Sequence, residues 1–325
     1  MPHLLVTSNA MMTTASLGLH PNVTIGFRVP HEVFDGDIVG LRACVAKAEQ
    51  LGISRLNVGD HVTFHNGTGF DGLVQSTALA ATSERAIIQT SVYLLPLRHP
   101  VTVARQVASL VQMVPGRFSF GVGIGGEDPN EVLACGVDPK RLGRRMNEAL
   151  PIVRALLDGE TVDLDGEFFT LRNVKLRPVP RVRVPIVVGG RSAAALARAG
   201  RLADGWLGLW STPDRWASSV EAVHAAAAAA GRTGVDWQHG LTVWCGFGQT
   251  KATARPLLAK AMEGIYRTPF EKFERYTAFG TPEDVADGLR QFVAAGCSRL
   301  NLIPNAATPD EALEGTADVQ ALLNS

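Results

Sequence analysis

FGVGIGGEDPNE, residues 120–131, is the stretch on which the reading of this chain turns. Gly121, Gly123 and Gly126 satisfy G-x-G-x-x-G, the pattern of a dinucleotide-binding turn. Such a turn sits between the first strand and first helix of a doubly wound sheet and opens directly into the helix. Here the glycines follow the fourth strand-like segment, and Pro129 comes soon after. The acid expected about 20 residues further on falls inside a helical stretch, 138–157, instead of at a strand end. The match to the dinucleotide pattern is therefore accidental. Two readings remain: a plain glycine-rich turn, or glycines at a strand's C-terminal end that keep side chains out of a barrel mouth, so that a flat ring can approach the backbone.

Working outward, strand-like and helix-like segments alternate along the chain. Residues 23–29, 54–58, 86–93, 118–123, 184–188, 204–210, 240–247 and 298–303 read as strands. Between them, apolar residues recur at helical spacing: Ile38, Leu41, Val45 and Ala48, then Val103, Val107, Leu110 and Val114, then Leu142, Met146, Ala149, Val153 and Leu156. Thr212-Pro213, Thr281-Pro282 and Thr308-Pro309 each join a capping threonine to a proline suited to the first helical position. Asp165-Gly166 lies between alternating segments and reads as a β-hairpin outside the main pattern. Eight strands alternating with helices predict a (β/α)8 TIM barrel, with a doubly wound sheet as the alternative. No linker or internal repeat divides the chain, so residues 1–22 are read as an N-terminal extension and 23–325 as one domain.

Composition narrows the function. Of the 325 residues, 46% are hydrophobic and 19% charged, and the formal net charge is zero, which argues for a large core and against a nucleic-acid partner. Cys44, Cys135, Cys245 and Cys297 are far apart, which indicates neither a zinc ribbon nor a disulfide framework. No apolar run is long enough to span a membrane, and the N-terminus is a poor signal peptide, so a cytoplasmic protein is expected. His61 and His65 have the spacing of metal ligands on a helix, but the H-E-x-x-H signature is missing and no metal is expected. The lysines, at 47, 140, 175, 251, 260 and 272, do not fall at strand ends, which counts against a Schiff-base aldolase.

Several stretches occur together in order: Val58-Gly59-Asp60-His61, LLPLRHP at residues 94–100, GVGIGGEDPNE, GRRMNEALPIVRALLDGETVDLDGEFFTL, VPIVVGGRSAAALARAGRLADGW and GTPEDVADGLRQFVAAGCSRLNL. In this combination the chain resembles the bacterial luciferase-like family of flavin and deazaflavin oxidoreductases, from about residue 23 to the C-terminus. The resemblance implies a luciferase-like barrel with insertions and a homodimer. The Val-Gly-Asp-His strand end resembles the branch that uses the deazaflavin coenzyme F420. The alternative is the FMN branch, whose members are monooxygenases using dioxygen.

Barrel active sites lie at the C-terminal ends of the strands, where Asp60 and His61 fall. The resemblance places Asp60 at the cofactor and His61 beside its reacting ring. A histidine is suited to moving a proton near neutral pH. It further implies a cis peptide at Ser91-Val92 supporting the ring, with Gly123 as a wall free of side chain. Glu127 is the candidate for a glutamate that contributes to proton transfer. Gly189, Gly190, Arg191 and Ser192 end a strand and open a helix, a ready anion site; the resemblance puts the cofactor phosphate there. Together these imply hydride transfer between F420 and a small organic substrate. A cofactor-binding protein without catalysis is the rival of another class.

Overall fold

The structure, a computed structural model, describes residues 22–65 and 67–325. The expected N-terminal extension lies, apart from Asn22, outside the described residues. Eight strands run in parallel: β1 (Thr24–Arg28), β2 (Arg55–Val58), β3 (Ile87–Thr90), β4 (Phe118–Gly123), β5 (Ile186–Gly189), β6 (Gly205–Leu209), β7 (Gly240–Phe247) and β8 (Arg299–Asn305). Each pairs with the next, and β8 pairs with β1, so the sheet closes into a barrel. Closure leaves no sheet edge in the ring, which excludes the doubly wound alternative.

The helices are α1 (Ile38–Gln50), α2 (Gly72–Thr82), α3 (Pro100–Met113), α4 (Leu142–Leu157), α5 (Ala193–Leu202), α6 (Pro213–Ala229), α7 (Lys251–Tyr266), α8 (Pro282–Ala294) and α9 (Pro309–Asn324). Each threonine expected as a cap accepts a bond from the third residue of its helix: Thr212 from Arg215 N–H, Thr281 from Asp284 and Thr308 from Glu311. Asp284 returns the bond to Thr281 N–H, completing a capping box. The apolar stripes of α3 and α4 are buried as expected, but Ile38, in the first turn of α1, is half exposed. In α9, Asn324 accepts from Val23 N–H at 2.7 Å and donates to Val23 C=O at 2.9 Å, locking the last helix to the first strand.

Strand residues alternate in and out. The outward set, including Ile25, Phe27, Leu56, Val58, Ile88, Phe120, Ile186, Leu300 and Leu302, packs under the helices as one core. The inward set is mostly polar or glycine. A Cβ on Gly26 would lie 2.3 Å from Asn57 Nδ2 and 2.5 Å from Asn301 Oδ1, so those side chains meet across the barrel interior.

Three features depart from the pattern. The expected strand 86–93 breaks after Thr90; the Ser91-Val92 peptide is cis, and Tyr93–Leu94 then forms a short strand paired with β4. Pro129 opens a short helix, Pro129–Ala134, capped by Asp128. Ala278–Gly280 adds a strand to β7 outside the barrel. The expected hairpin is present as Val162–Asp165 and Thr170–Val174, with Glu148 of α4 accepting the backbone N–H groups of Glu167, Phe168 and Phe169 in its turn.

Candidate functional site

Beyond β2 the chain turns through Gly59-Asp60-His61 at the C-terminal rim. Gly59 is required by a close approach: a Cβ there would stand 1.9 Å from Arg28 Nη2. The Asp60 carboxylate accepts from Gly72 N–H at 2.9 Å, Leu94 N–H at 2.8 Å, and Arg98 Nη1 and Nη2 at 2.5 and 2.8 Å. These four donors fill a carboxylate's acceptor positions. Burial pushes the Asp60 carboxyl above its usual range, and Arg98 with the two N–H groups pulls it back. Arg98 also lies over the Tyr93 ring, 4.4 Å from its centroid. One buried carboxylate thus ties together the end of β2, the start of α2 and the segment after β3.

His61, next in sequence, is partly exposed, and its ring stacks on Phe64 at 4.0 Å. Its Nδ1 lies 3.1 Å from Glu131 Oε2. Glu131 is 1% exposed and also accepts from Val62 N–H at 2.6 Å and Thr63 N–H at 3.2 Å. Burial works to raise its carboxyl, but the bonds from His61 and Val62 outweigh it and hold the group below the usual range. An ionised Glu131 only accepts, so His61 carries its proton on Nδ1 and leaves Nε2 free. Beside it, Asp128 accepts from His65 N–H at 2.6 Å. The Asp128–Glu131 turn of the β4 loop therefore grips the β2 loop and orients its histidine.

The alternate glycines of β4 have a local cause. A Cβ on Gly121 would lie 1.9 Å from Thr90 C=O, one on Gly123 2.5 Å from Val92 Cγ2, and one on Gly125 3.0 Å from Leu94 Cδ2. They accommodate residues 90, 92 and 94 of the neighbouring segment as it passes the cis peptide. Gly123 thus makes room for the Val92 side chain. A Cβ on Gly189, from β5, would lie 3.0 Å from Val92 Cγ1. A contact of 2.5 Å forces Val92 or the strand to shift, so Gly123→Ala is expected to cost about 1–3 kcal/mol. Urea unfolding would measure this, and truncating Val92 to alanine in the same chain should recover most of the loss.

Across the mouth, Gly190-Arg191-Ser192 precedes α5. Ser192 caps the helix by accepting from Ala195 N–H at 3.2 Å, and the first-turn amides face the exposed rim. Arg191 lies over the Trp210 ring at 4.8 Å. Trp210 follows β6 with a left-handed φ of 51°, and its buried indole N–H has no partner among the described residues. Tyr266 and Phe273 contact it at 4.9 and 5.0 Å to make an aromatic roof. Burial pushes the Tyr266 phenol up to about 12, with the Trp244 N–H bond opposing it. Below the roof, Arg28 at the end of β1 donates to Ser91 C=O at 3.2 Å and is brought down to about 10 by burial. A polar cleft of about 620 Å³ lined by Arg183, Asp204 and Arg232 lies at the other end of the barrel, away from these groups.

The family model for luciferase-like monooxygenases matches residues 22–277. The chain belongs to this family. A protein of Mycobacterium tuberculosis is 35% identical over 171 residues, 52% of this chain and 59% of that one. An F420-dependent glucose-6-phosphate dehydrogenase of Beutenbergia cavernae is 36% identical over 174 residues, 51% of each chain. The matches therefore span little more than half the length of these relatives. Among solved structures, an F420-dependent secondary alcohol dehydrogenase in complex with an F420-acetone adduct superposes with a TM-score of 0.80 at 20% identity, covering 94% of this chain and all of that one. A type II Baeyer-Villiger monooxygenase component of Pseudomonas putida with FMN gives 0.71 at 17%, covering 94% and 97%. At these identities the superpositions speak to the fold.

In this luciferase-like barrel the sites expected from sequence fall at one end. Asp60, His61, Ser91, Val92, Gly123 and Gly189 to Ser192 all lie at the C-terminal rim. Glu127 is exposed there and acts on Tyr266 only as a charge; the acid at His61 is Glu131. Three further residues escaped the sequence reading: Arg98, Arg28 and Trp210. Asp128-Pro129 was an available signal for Glu131, since a capped proline start places an acid in a first helical turn. Nothing local announces Arg28 or Trp210.

Proposed function

We propose that this luciferase-like chain is an oxidoreductase that uses coenzyme F420 to transfer a hydride to or from a small organic substrate. The observation that carries the reading is the His61–Glu131 pair, set on a fixed loop beside the cis Ser91-Val92 peptide and across the mouth from the α5 N-terminus. The residues suit such a cofactor. The first-turn amides of α5 can take a phosphate, and Val92, between Gly123 and Gly189, offers an apolar floor to a flat ring. When bound, the deazaflavin supplies the hydride acceptor or donor.

The protein's share is orientation and proton handling. Asp60, with every acceptor position in use, is a positioning residue and not a direct cofactor ligand. Glu131 fixes the His61 tautomer, and Nε2 of His61 is left to hold or give a proton at the substrate oxygen. Trp210, Tyr266 and Phe273 cover the substrate and exclude water.

Titration of the purified protein with oxidised F420 and, separately, with FMN tests the proposal through fluorescence quenching. Tight, saturable binding of F420 in preference to FMN is expected. Binding of FMN alone would overturn the reading in favour of an FMN monooxygenase, a reading favoured by the family's description; oxygen-dependent turnover would then be sought. Sedimentation of the same sample would examine the proposed homodimer.

A further inference from the structure

We propose that the floor of the barrel binds a small monatomic anion, a halide, among Arg55, Ser119 and Arg299. The register places these residues together. Asn57 and Asn301 both reach the position above Gly26, so they share a layer of the interior. Arg55 and Arg299 stand two residues earlier on the same strands and form the layer beneath it. Arg299 pairs with Thr24 and Arg55 with Gly26, a stagger of two residues over two strands. Arg55 pairs with Ile87, and Ile88 pairs with Phe118, so the same stagger carried from β2 to β4 brings in Ser119. One further step brings in Gly205 of β6, which contributes no side chain. A layer drawn from alternate strands is the normal packing unit of such a barrel.

What is unusual is its chemistry. Arg55 Nε, Ser119 Oγ and Arg299 Nη1 are buried without a hydrogen-bond partner among the described residues, and so are both amide atoms of Asn57 in the layer above. Arg55, Ser119 and Asn57 are 7%, 2% and 1% exposed. Among the described residues the Arg55 guanidinium donates once, from Nη2 to the neutral Gln89 Oε1 at 2.7 Å. Among the described residues no carboxylate is within ion-pair distance of either arginine; Asp236 acts on Arg299 only at longer range. Burial, and then the like charge of Arg299, brings Arg55 down to about 10, so it is still charged at neutral pH.

Two like charges at the floor of a barrel, Arg55 buried and Arg299 partly so, with unmet donors around them, call for an acceptor that also carries negative charge. Water could meet the donors but not the charge. A halide does both, and it accepts from several directions at once. Asn57 Nδ2 is the donor from above. This site is independent of the proposed hydride transfer, which takes place at the opposite end of the barrel.

Crystals grown in sodium bromide test the inference by anomalous scattering. A single internal peak among Arg55, Ser119 and Arg299 is expected; water-like density there without anomalous signal would overturn it. Thermal unfolding in sodium chloride, compared with sodium gluconate at equal ionic strength, should show a saturable rise in Tm with the halide. Ser119→Ala, which removes only a hydroxyl, is expected to raise the chloride concentration for half of that rise roughly tenfold, the loss of one hydrogen bond to a charged group. Arg299→Met should abolish the rise. A rise of equal size and midpoint in both variants would locate the effect elsewhere and defeat the proposal.

Discussion

His61→Ala is expected to lower turnover about 10²–10⁴-fold, the usual contribution of a positioned acid–base group, while F420 still binds. The separation follows from the geometry. His61 reaches the protein through Nδ1 and Glu131, and its ring stacks on Phe64 within the same loop. The proposed phosphate and ring contacts come instead from α5 and from Val92. Fluorescence titration and steady-state kinetics on the same preparation would decide it. Equal losses of binding and turnover would make His61 a cofactor ligand; unchanged turnover would remove it from the chemistry. Glu131→Gln is the companion variant. Its amide still offers an oxygen to Val62 N–H but no longer a second acceptor for His61 Nδ1, so kcat should fall with little change in cofactor affinity.

Arg98→Met is expected to cost about 3–5 kcal/mol of folding stability at neutral pH, because it leaves the Asp60 carboxylate buried without its cation. Two backbone donors, from Gly72 and Leu94, would remain. The pH dependence distinguishes lost charge compensation from lost packing over Tyr93. Removing Arg98 takes away an influence that lowers the Asp60 carboxyl, so its folded pKa rises further above the unfolded value. An acid whose pKa is raised on folding binds more protons folded than unfolded, and stability then increases as pH falls towards the unfolded value near 4. Urea unfolding at pH 7 and pH 5 should therefore show the variant's deficit shrinking at the lower pH. A deficit equal at both would point to packing alone.

Much of the fold was legible because it rests on local chemistry. The threonine-proline starts of α6, α8 and α9 announce themselves in two residues, and the stripes of α3 and α4 repeat over several turns. The barrel followed from counting strands. The short strand Ala278–Gly280 was not legible, since three residues carry no period. The break in β3 could not be derived from composition: Ser91-Val92 looks like ordinary strand and was marked only through resemblance. In the site, His61 falls at a strand end as expected, while Glu127 was read as a proton-transfer acid and the carboxylate that holds His61, Glu131, was not singled out. Which acid meets the histidine depends on how the β4 loop folds back after Gly125, a tertiary matter. The glycines were read as a wall beside a ligand, and the structure adds a cause that was not legible, the close approach of the neighbouring strand. That contact joins residues about thirty positions apart, beyond the reach of any local pattern.

The crowding around Val92 has a consequence for how this pocket can be altered. Gly123 and Gly189 have already surrendered their side chains to it, one on each flank. Neither can grow without pushing residue 92 aside. The depth of the basin at this point is therefore governed by a single side chain. A smaller residue there would deepen it without disturbing the histidine loop or the roof, so position 92 is the natural place to begin enlarging the range of molecules the barrel admits.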